Sequence, residues 1–92
     1  MYALKLSDKA TSIFRKMAKR EMRQLEIINR KILEIREYPQ RFKPLSNMMK
    51  GFRSVHFGSF VMTYTIDETT KTVNIEDYDH HDRIYRRCAR FI

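Results

Sequence analysis

The sequence contains few of the residues that mark disulfide-rich, loop-rich or membrane proteins. It has one cysteine, Cys88, so an internal disulfide is excluded and nothing indicates an oxidising compartment. Two glycines and two prolines in 92 residues argue against a loop-rich or disordered chain. No apolar run approaches the roughly 18 residues of a membrane-spanning helix, and the N-terminal stretch becomes charged too early for a signal peptide. We expect one cytoplasmic domain over residues 1–92 that does not enter a membrane.

Acidic residues are also few compared with basic ones. Nineteen lysines and arginines stand against eleven aspartates and glutamates, which gives a formal net charge of +8. A small domain stays soluble with a net charge of about 2–8 of either sign, so solubility alone is one explanation. The other is a polyanionic partner, which is RNA, DNA or an acidic protein.

The hydrophobic periodicity predicts an α+β fold. Residues 2–6 alternate like a half-buried strand, and Ser7 is a typical N-cap for a helix that begins at Asp8. Helical spacing of apolar residues then continues to Glu37. The polar break near Lys19 favours two helices with a tight turn over one long helix. Pro39 should end the helical region at Tyr38.

The second half of the chain predicts a sheet. Three strand-like segments, 52–57, 60–66 and 71–78, are joined by turns too short for parallel crossovers, which predicts an antiparallel meander. The two helices should pack on one face of this sheet. Pro44 excludes a central strand from the irregular segment 40–49. Residues 82–92 predict a short basic helix or an extended tail.

Several motifs, taken in order, resemble the RelE/ParE superfamily of bacterial and archaeal toxins. Residues 38–45 (YPQRFKPL) are similar to the stretch that follows the second helix in that family. Residues 50–53 (KGFR) and 60–64 (FVMTY) resemble its hairpin, and residues 80–86 (HHDRIYR) resemble its closing His-Arg-x-x-Val-Tyr signature. The resemblance covers essentially the whole chain. It implies a RelE-like fold, a toxin that cleaves messenger RNA on the ribosome, and a cognate antitoxin that holds the toxin inactive.

The resemblance also implies roles for individual residues. Arg53 occupies the place of a basic residue on the first hairpin strand, and Tyr85 matches the closing tyrosine. The histidine pair and the arginine that follows it fall where the family has its basic or histidine catalytic group. One position departs from the pattern: Val61 stands where the second hairpin strand often carries an arginine. This departure favours the ParE branch, whose members inhibit DNA gyrase and lack the nuclease residues.

The residue types suit RNA cleavage by internal transesterification. Histidine can transfer protons near neutral pH, arginine holds a phosphate through two parallel hydrogen bonds, and tyrosine can stack on a base. The catalytic candidates are His80, His81, Tyr85, Arg53 and Arg83. The RNA-binding candidates are Lys43, Lys50, His56, Arg86 and Arg87.

Strand geometry limits how these candidates combine. Alternation places Arg53 and His56 on opposite faces of their strand, and we expect Arg53 to be the one that accompanies the histidine pair. His80 and His81 are adjacent, so in extended chain they point oppositely and one of the two is expected to act. We expect no metal or cofactor, because the histidine pair and Cys88 lack the spacing of a zinc motif.

Three functions remain open at this point. The first is a ribosome-dependent endoribonuclease toxin of a type II toxin-antitoxin system. The second is a ParE-like toxin that inhibits gyrase without cleaving nucleic acid, and the third is a plain nucleic-acid-binding module. For the first, we expect the ribosome and messenger RNA as partners, and an acidic, helical, RelB-like antitoxin in a heteromeric complex.

Overall fold

The computed structural model describes residues 1–45 and 51–89, and in the last helix it describes side chains as far as Arg86. The elements follow in the order β1 (Ala3–Leu6), α1 (Asp8–Arg20), α2 (Met22–Glu37), a 3-10 turn (Pro39–Arg41), β2 (Lys43–Pro44), β3 (Arg53–Phe57), β4 (Phe60–Asp67), β5 (Thr72–His80) and α3 (His81–Ala89). The predicted α+β architecture, with an N-terminal strand, a helical hairpin and three further strands, is confirmed. Lys50 lies outside the described residues, as does the side chain of Arg87.

The strands form one five-stranded sheet in the order β1-β5-β4-β3-β2. Strands β3, β4 and β5 make the predicted antiparallel meander, and β1 pairs in parallel with β5 after the crossover through the helices. The two residues of β2 pair with β3 at the sheet edge. Proline cannot donate to a strand ladder, so Pro44 is tolerated there and not in a central strand.

The helical hairpin is defined by local capping. The side-chain oxygen of Ser7 accepts a hydrogen bond from the Ala10 N–H at 3.0 Å, as the N-cap prediction requires. The same hydroxyl donates to the Glu76 carbonyl at 2.7 Å, which ties the start of α1 to β5. Glu21 alone separates α1 from α2, and α2 ends at Glu37 before the prolyl turn. The structure therefore has two helices and not one long helix.

Both helices pack on one face of the sheet. The core between them contains apolar side chains from α1, α2, β3, β4 and β5, among them Phe14, Ile28, Val55 and Val73. Tyr64 is fully buried at its centre, and its hydroxyl donates to the Pro39 carbonyl at 2.6 Å. Burial raises the pKa of Tyr64 to about 12, so the phenol stays neutral.

The C-terminal segment is a helix and not an extended tail. It packs on the opposite face of the sheet, where Ile84 is buried against Val61 in a second, smaller apolar cluster. A register shift between Thr63 and Tyr64 lets β5 carry one extra residue, so Ile75 and Tyr78 both face the α1/α2 core although three positions separate them. No helix within the described ranges is long and apolar enough to cross a membrane.

Candidate functional site

Three ring side chains form a continuous cluster on the α3 face of the sheet. His56 comes from β3, and His81 and Tyr85 come from the first turns of α3. The ring centroids of His56 and His81 are 5.8 Å apart, and those of His81 and Tyr85 are 4.6 Å apart. Both histidines are exposed and Tyr85 is half-buried, so the His56–His81–Tyr85 cluster is open to solvent.

Backbone contacts explain why these rings meet. The N–H of His81 donates to the Ser59 carbonyl at 2.8 Å, which fixes the start of α3 above the turn between β3 and β4. Tyr85 follows one helical turn later, and residues at i and i+4 lie on the same side of a helix. The buried side chain of Ile84 anchors that turn to the sheet. The cluster thus depends on one backbone hydrogen bond and one apolar contact.

The two adjacent histidines lie on opposite sides of the sheet end. His80 is the last residue of β5, and its ring meets Phe60 edge-on with centroids 5.7 Å apart. His81 turns to the other side and meets His56. Only His81 of the pair belongs to the cluster.

Arg53 does not lie where the sequence analysis expected it. Its Nη1 donates to the Phe42 carbonyl at 2.7 Å and to the Gln40 carbonyl at 3.1 Å, which ties β3 to the segment after α2. Residues Arg53 to Phe57 pair with β4 without a register shift, so Arg53 and His56 point to opposite faces. The prediction that Arg53 would accompany the histidine pair is wrong, and His56 takes that place.

Three other basic candidates lie on the same face of the sheet as His56 or on α3. Lys43 lies opposite Ser54, and therefore on the same face of the sheet as His56. Arg83 and Arg86 are exposed on α3, and Nη1 of Arg83 lies 3.6 Å from Oδ1 of Asp79. Helical spacing puts Arg83 about 200° around the helix from His81, so the two do not converge.

The floor of the cluster is apolar. Val61 pairs directly with His56 across β3 and β4 and is fully buried. Nearby, the Ser54 hydroxyl is buried and has no hydrogen-bond partner among the residues described. Nothing in the residues that neighbour Ser54 in the sequence predicts its burial.

The described residues contain no group of three or more histidine, cysteine, aspartate or glutamate side chains placed to hold a metal ion. What the cluster offers is two imidazoles and a phenol in contact, on an exposed surface of a basic protein. Such groups can transfer protons and can stack on a base.

Comparison with known proteins agrees with this fold. The family described as the ParE toxin of type II toxin-antitoxin systems, parDE, matches residues 4–85. The chain belongs to the RelE/ParE superfamily of toxins. This toxin is 46% identical over 86 residues to an uncharacterized protein from Methanosarcina mazei, covering 92% of this chain and 100% of the relative. It is 38% identical over 92 residues to a Methanocaldococcus jannaschii protein whose name assigns it as toxin RelE4, covering 99% of this chain and 98% of the relative.

A solved structure supports the same assignment. The toxin resembles a chain of the toxin-antitoxin complex RelBE2 from Mycobacterium tuberculosis, with a TM-score of 0.70 and 27% identity over 87% of this chain and 98% of that one. The predicted RelE-like fold is therefore confirmed, and the chain is a toxin of a type II toxin-antitoxin system. An antitoxin partner is supported by the same comparison.

Proposed function

We propose that this toxin is an endoribonuclease that cleaves messenger RNA on the ribosome, with the His56–His81–Tyr85 cluster as its catalytic centre. The observation that carries the proposal is the contact of two exposed imidazoles, with ring centroids 5.8 Å apart, beside a tyrosine on a protein of net charge +8. The site works in the cytoplasm, where messenger RNA and ribosomes are found.

The reaction is an internal transesterification in which two histidines share the proton transfers. One imidazole takes the proton of the ribose 2′-hydroxyl, and the 2′-oxygen forms a bond to phosphorus. The bond from phosphorus to the 5′-oxygen breaks, and the other imidazole, in its protonated form, gives that oxygen a proton. The products are a 2′,3′-cyclic phosphate and a 5′-hydroxyl. Histidine fits both tasks because each protonation state is accessible near neutral pH.

Tyr85 and the surrounding cations would position the substrate. Tyr85 packs on His81 and can stack on a splayed base. Lys43 on the same sheet face, and Arg83 and Arg86 on the exposed side of α3, would contact the RNA backbone. The residue beneath His56 is the buried Val61 and not an arginine. We therefore expect the ribosome to hold the substrate in the reactive geometry.

The antitoxin in this proposal is a helical, acidic protein that covers the basic surface of the toxin. The related chain from Mycobacterium tuberculosis was solved in a toxin-antitoxin complex. Complementary charge would speed the association of an acidic antitoxin with a toxin of net charge +8.

The experiment compares His81→Ala with its neighbour His80→Ala in cells, by growth after induction and by mapping of RNA 5′ ends. Removing a general acid or base costs about 10²- to 10⁴-fold in rate, so His81→Ala should lose cleavage. His56→Ala should behave like His81→Ala. His80→Ala should lose less cleavage than His81→Ala, because its ring lies on the other side of the sheet and outside the cluster. Leu33→Ala, at an exposed position of α2, is the control and should stay close to wild type. Cleavage that survives both His56→Ala and His81→Ala would overturn the catalytic assignment.

A second candidate is inhibition of DNA gyrase without cleavage. Two observations favour it: the matching family is described as ParE toxin, and the arginine position of the nuclease pattern is the buried Val61. A supercoiling assay with purified toxin separates the two. Inhibition of gyrase that is unchanged by His81→Ala, together with intact cellular RNA, would establish this candidate in place of the first.

A further inference from the structure

A second group of rings lies on the other side of the same sheet end. Phe57, Phe60 and Tyr78 form one wall of a groove, and the first turns of α2 form the other wall. The groove has a volume of about 480 Å³, within the range of about 300–1,000 Å³ that is typical of small-ligand sites. The proposed catalytic cluster does not use it.

The rings of this groove are arranged as a stacking platform. Phe60 lies parallel to Tyr78, with centroids 5.4 Å apart and 5° between the ring planes. Phe57 supports Tyr78 at 6.0 Å, and His80 meets Phe60 edge-on. Phe60 nevertheless stays 41% exposed, so part of its ring is open to a ligand.

The helical wall of the groove is more polar than a helix-docking surface requires. Glu21, Arg23 and Gln24 line it, and Ile27 is its aliphatic side chain. A helix-binding groove presents apolar pockets for anchors at i, i+3, i+4 and i+7. This groove combines aromatic faces with a guanidinium, an amide and the carboxylate of Glu21. Rings and guanidinium groups bind single-stranded bases and phosphates, and a carboxylate or an amide can hydrogen-bond the edge of a base.

Arg23 is also poorly placed for the stability of its own helix. It lies in the first turn of α2, where the helix dipole disfavours a cation, and the acidic residue at that end is Glu21 at the N-cap. Within the described part of the chain it forms no ion pair. Arg15, Lys16, Lys19 and Arg20 precede it on α1 and are likewise exposed and unpaired there. An anionic ligand would relieve this concentration of like charge.

The groove is continuous with the proposed catalytic cluster. His80 contacts the groove ring Phe60, and the next residue, His81, belongs to the cluster. Consecutive Cα atoms are about 3.8 Å apart, so His80 and His81 bring the groove and the cluster close together. One RNA strand that passes over this end of the sheet can therefore reach both sites. We propose that the groove binds the base of a nucleotide that flanks the cleaved bond, with Phe60 as the stacking face and Arg23 at a phosphate. This inference rests on the proposed endoribonuclease function.

The test uses a short single-stranded RNA in which a 2′-deoxy substitution blocks cleavage at the target nucleotide. The fluorescent base 2-aminopurine, which is quenched by stacking, is placed on either side of that nucleotide in turn. Binding is measured with the free oligonucleotide and with the same oligonucleotide on purified host ribosomes. We expect quenching at one flanking position with wild type. Phe60→Leu should remove it and weaken binding about 5- to 150-fold, the range for loss of one base-aromatic stack.

Three further variants interpret the result. Phe60→Tyr keeps a ring and should restore quenching, which separates stacking from loss of fold. Arg23→Gln should lower the slope of binding against salt by about one unit. Leu33→Ala removes another side chain of α2, 51% exposed and outside the groove, and should change neither readout.

The outcomes distinguish this inference from the function on which it depends. If wild type cleaves RNA through His81 but quenches neither position, or if Phe60→Leu binds like wild type, the base subsite is wrong and the nuclease stands. If Phe60→Leu leaves RNA binding intact but weakens binding of a labelled acidic amphipathic peptide, the groove is a protein site. If wild type cleaves no RNA, the proposed function fails and the subsite fails with it.

Discussion

Ile84 is the side chain that holds α3 on the sheet, and its truncation tests whether the candidate site depends on that contact. It is 2% exposed and is the one buried side chain among residues 81–86, the part of α3 with described side chains. It packs on Val61, with Leu45, Phe52 and Tyr85 around them. This cluster is separate from the core between the sheet and the helical hairpin. Ile84→Ala should therefore release α3 without unfolding the domain.

The magnitude follows from the burial. Truncating a buried isoleucine to alanine costs about 2–5 kcal/mol, and the cost is smallest where the structure can close around the gap. A surface helix can relax, so we expect about 2 kcal/mol for Ile84→Ala. At 1.4 kcal/mol for each factor of ten, the docking equilibrium of α3 shifts by about 30-fold. Ile84→Val removes one methylene and should cost about 0.5–1.5 kcal/mol.

Hydrogen exchange read by mass spectrometry measures this directly. Amides of α3 should exchange faster in Ile84→Ala, while amides of β4 and β5 keep their protection. The proposed RNA cleavage should decrease as α3 undocks, because His81 and Tyr85 lie on the same helix. Leu33→Ala, on the exposed face of α2, is the control. Unchanged exchange in α3 together with full activity would refute the reasoning that Ile84 positions the site.

Three other predictions concern groups outside the His56–His81–Tyr85 cluster. The neutral Tyr64 phenol, whose pKa rises from 10.0 to about 12, contributes about 2–3 kcal/mol to the free energy of unfolding. That contribution is complete below pH 10 and is lost as the pH rises to about 12. The free energy of unfolding, measured by circular dichroism at alkaline pH, should therefore fall less steeply with pH for Tyr64→Phe than for wild type. Identical curves would contradict this prediction. Arg53→Met should lower the free energy of unfolding by about 1.5–3 kcal/mol by removing charged hydrogen bonds to two carbonyls. Urea titration measures this, and a loss of cleavage by the folded variant would show a role for Arg53 in the reaction. Ser7→Ala should cost about 1 kcal/mol in the same titration through loss of the N-cap, whereas an unchanged midpoint would argue against the cap.

Local patterns in the sequence were sufficient for most elements of the fold. The Ser7 cap, the stop at Pro39 and the turn at residues 58–59 each depend on neighbouring residues, so their positions could be read directly. The parallel pairing of β1 with β5 could not, because alternation is the same whichever strand is the neighbour. No sequence pattern indicates the bulge in β5 either, yet this bulge decides that His80 faces the groove.

The candidate site was predicted in composition but not in arrangement. Tyr85 and one histidine of the pair were selected, and the structure brings both to the cluster. The choice of Arg53 over His56 failed because it followed a family motif, whereas alternation along β3 already placed the two on opposite faces. Which of them met α3 depended on the face that this helix would cover. The face that α3 covers is determined by tertiary contacts, namely the packing of Ile84 on Val61.

Val61 therefore has two consequences that belong together. An arginine at this position would place a charge under His56 and could not pack against Ile84, since burying an unpaired cation is costly. Valine instead gives α3 an apolar surface to pack on and leaves the cluster without an arginine. A centre built in this way can move protons but stabilises the charge on a phosphate poorly. Stabilisation of the phosphate charge would have to come from cations outside the cluster, such as Lys43 and Arg86, or from the ribosome. We therefore expect a nuclease of this design to be slow on free RNA.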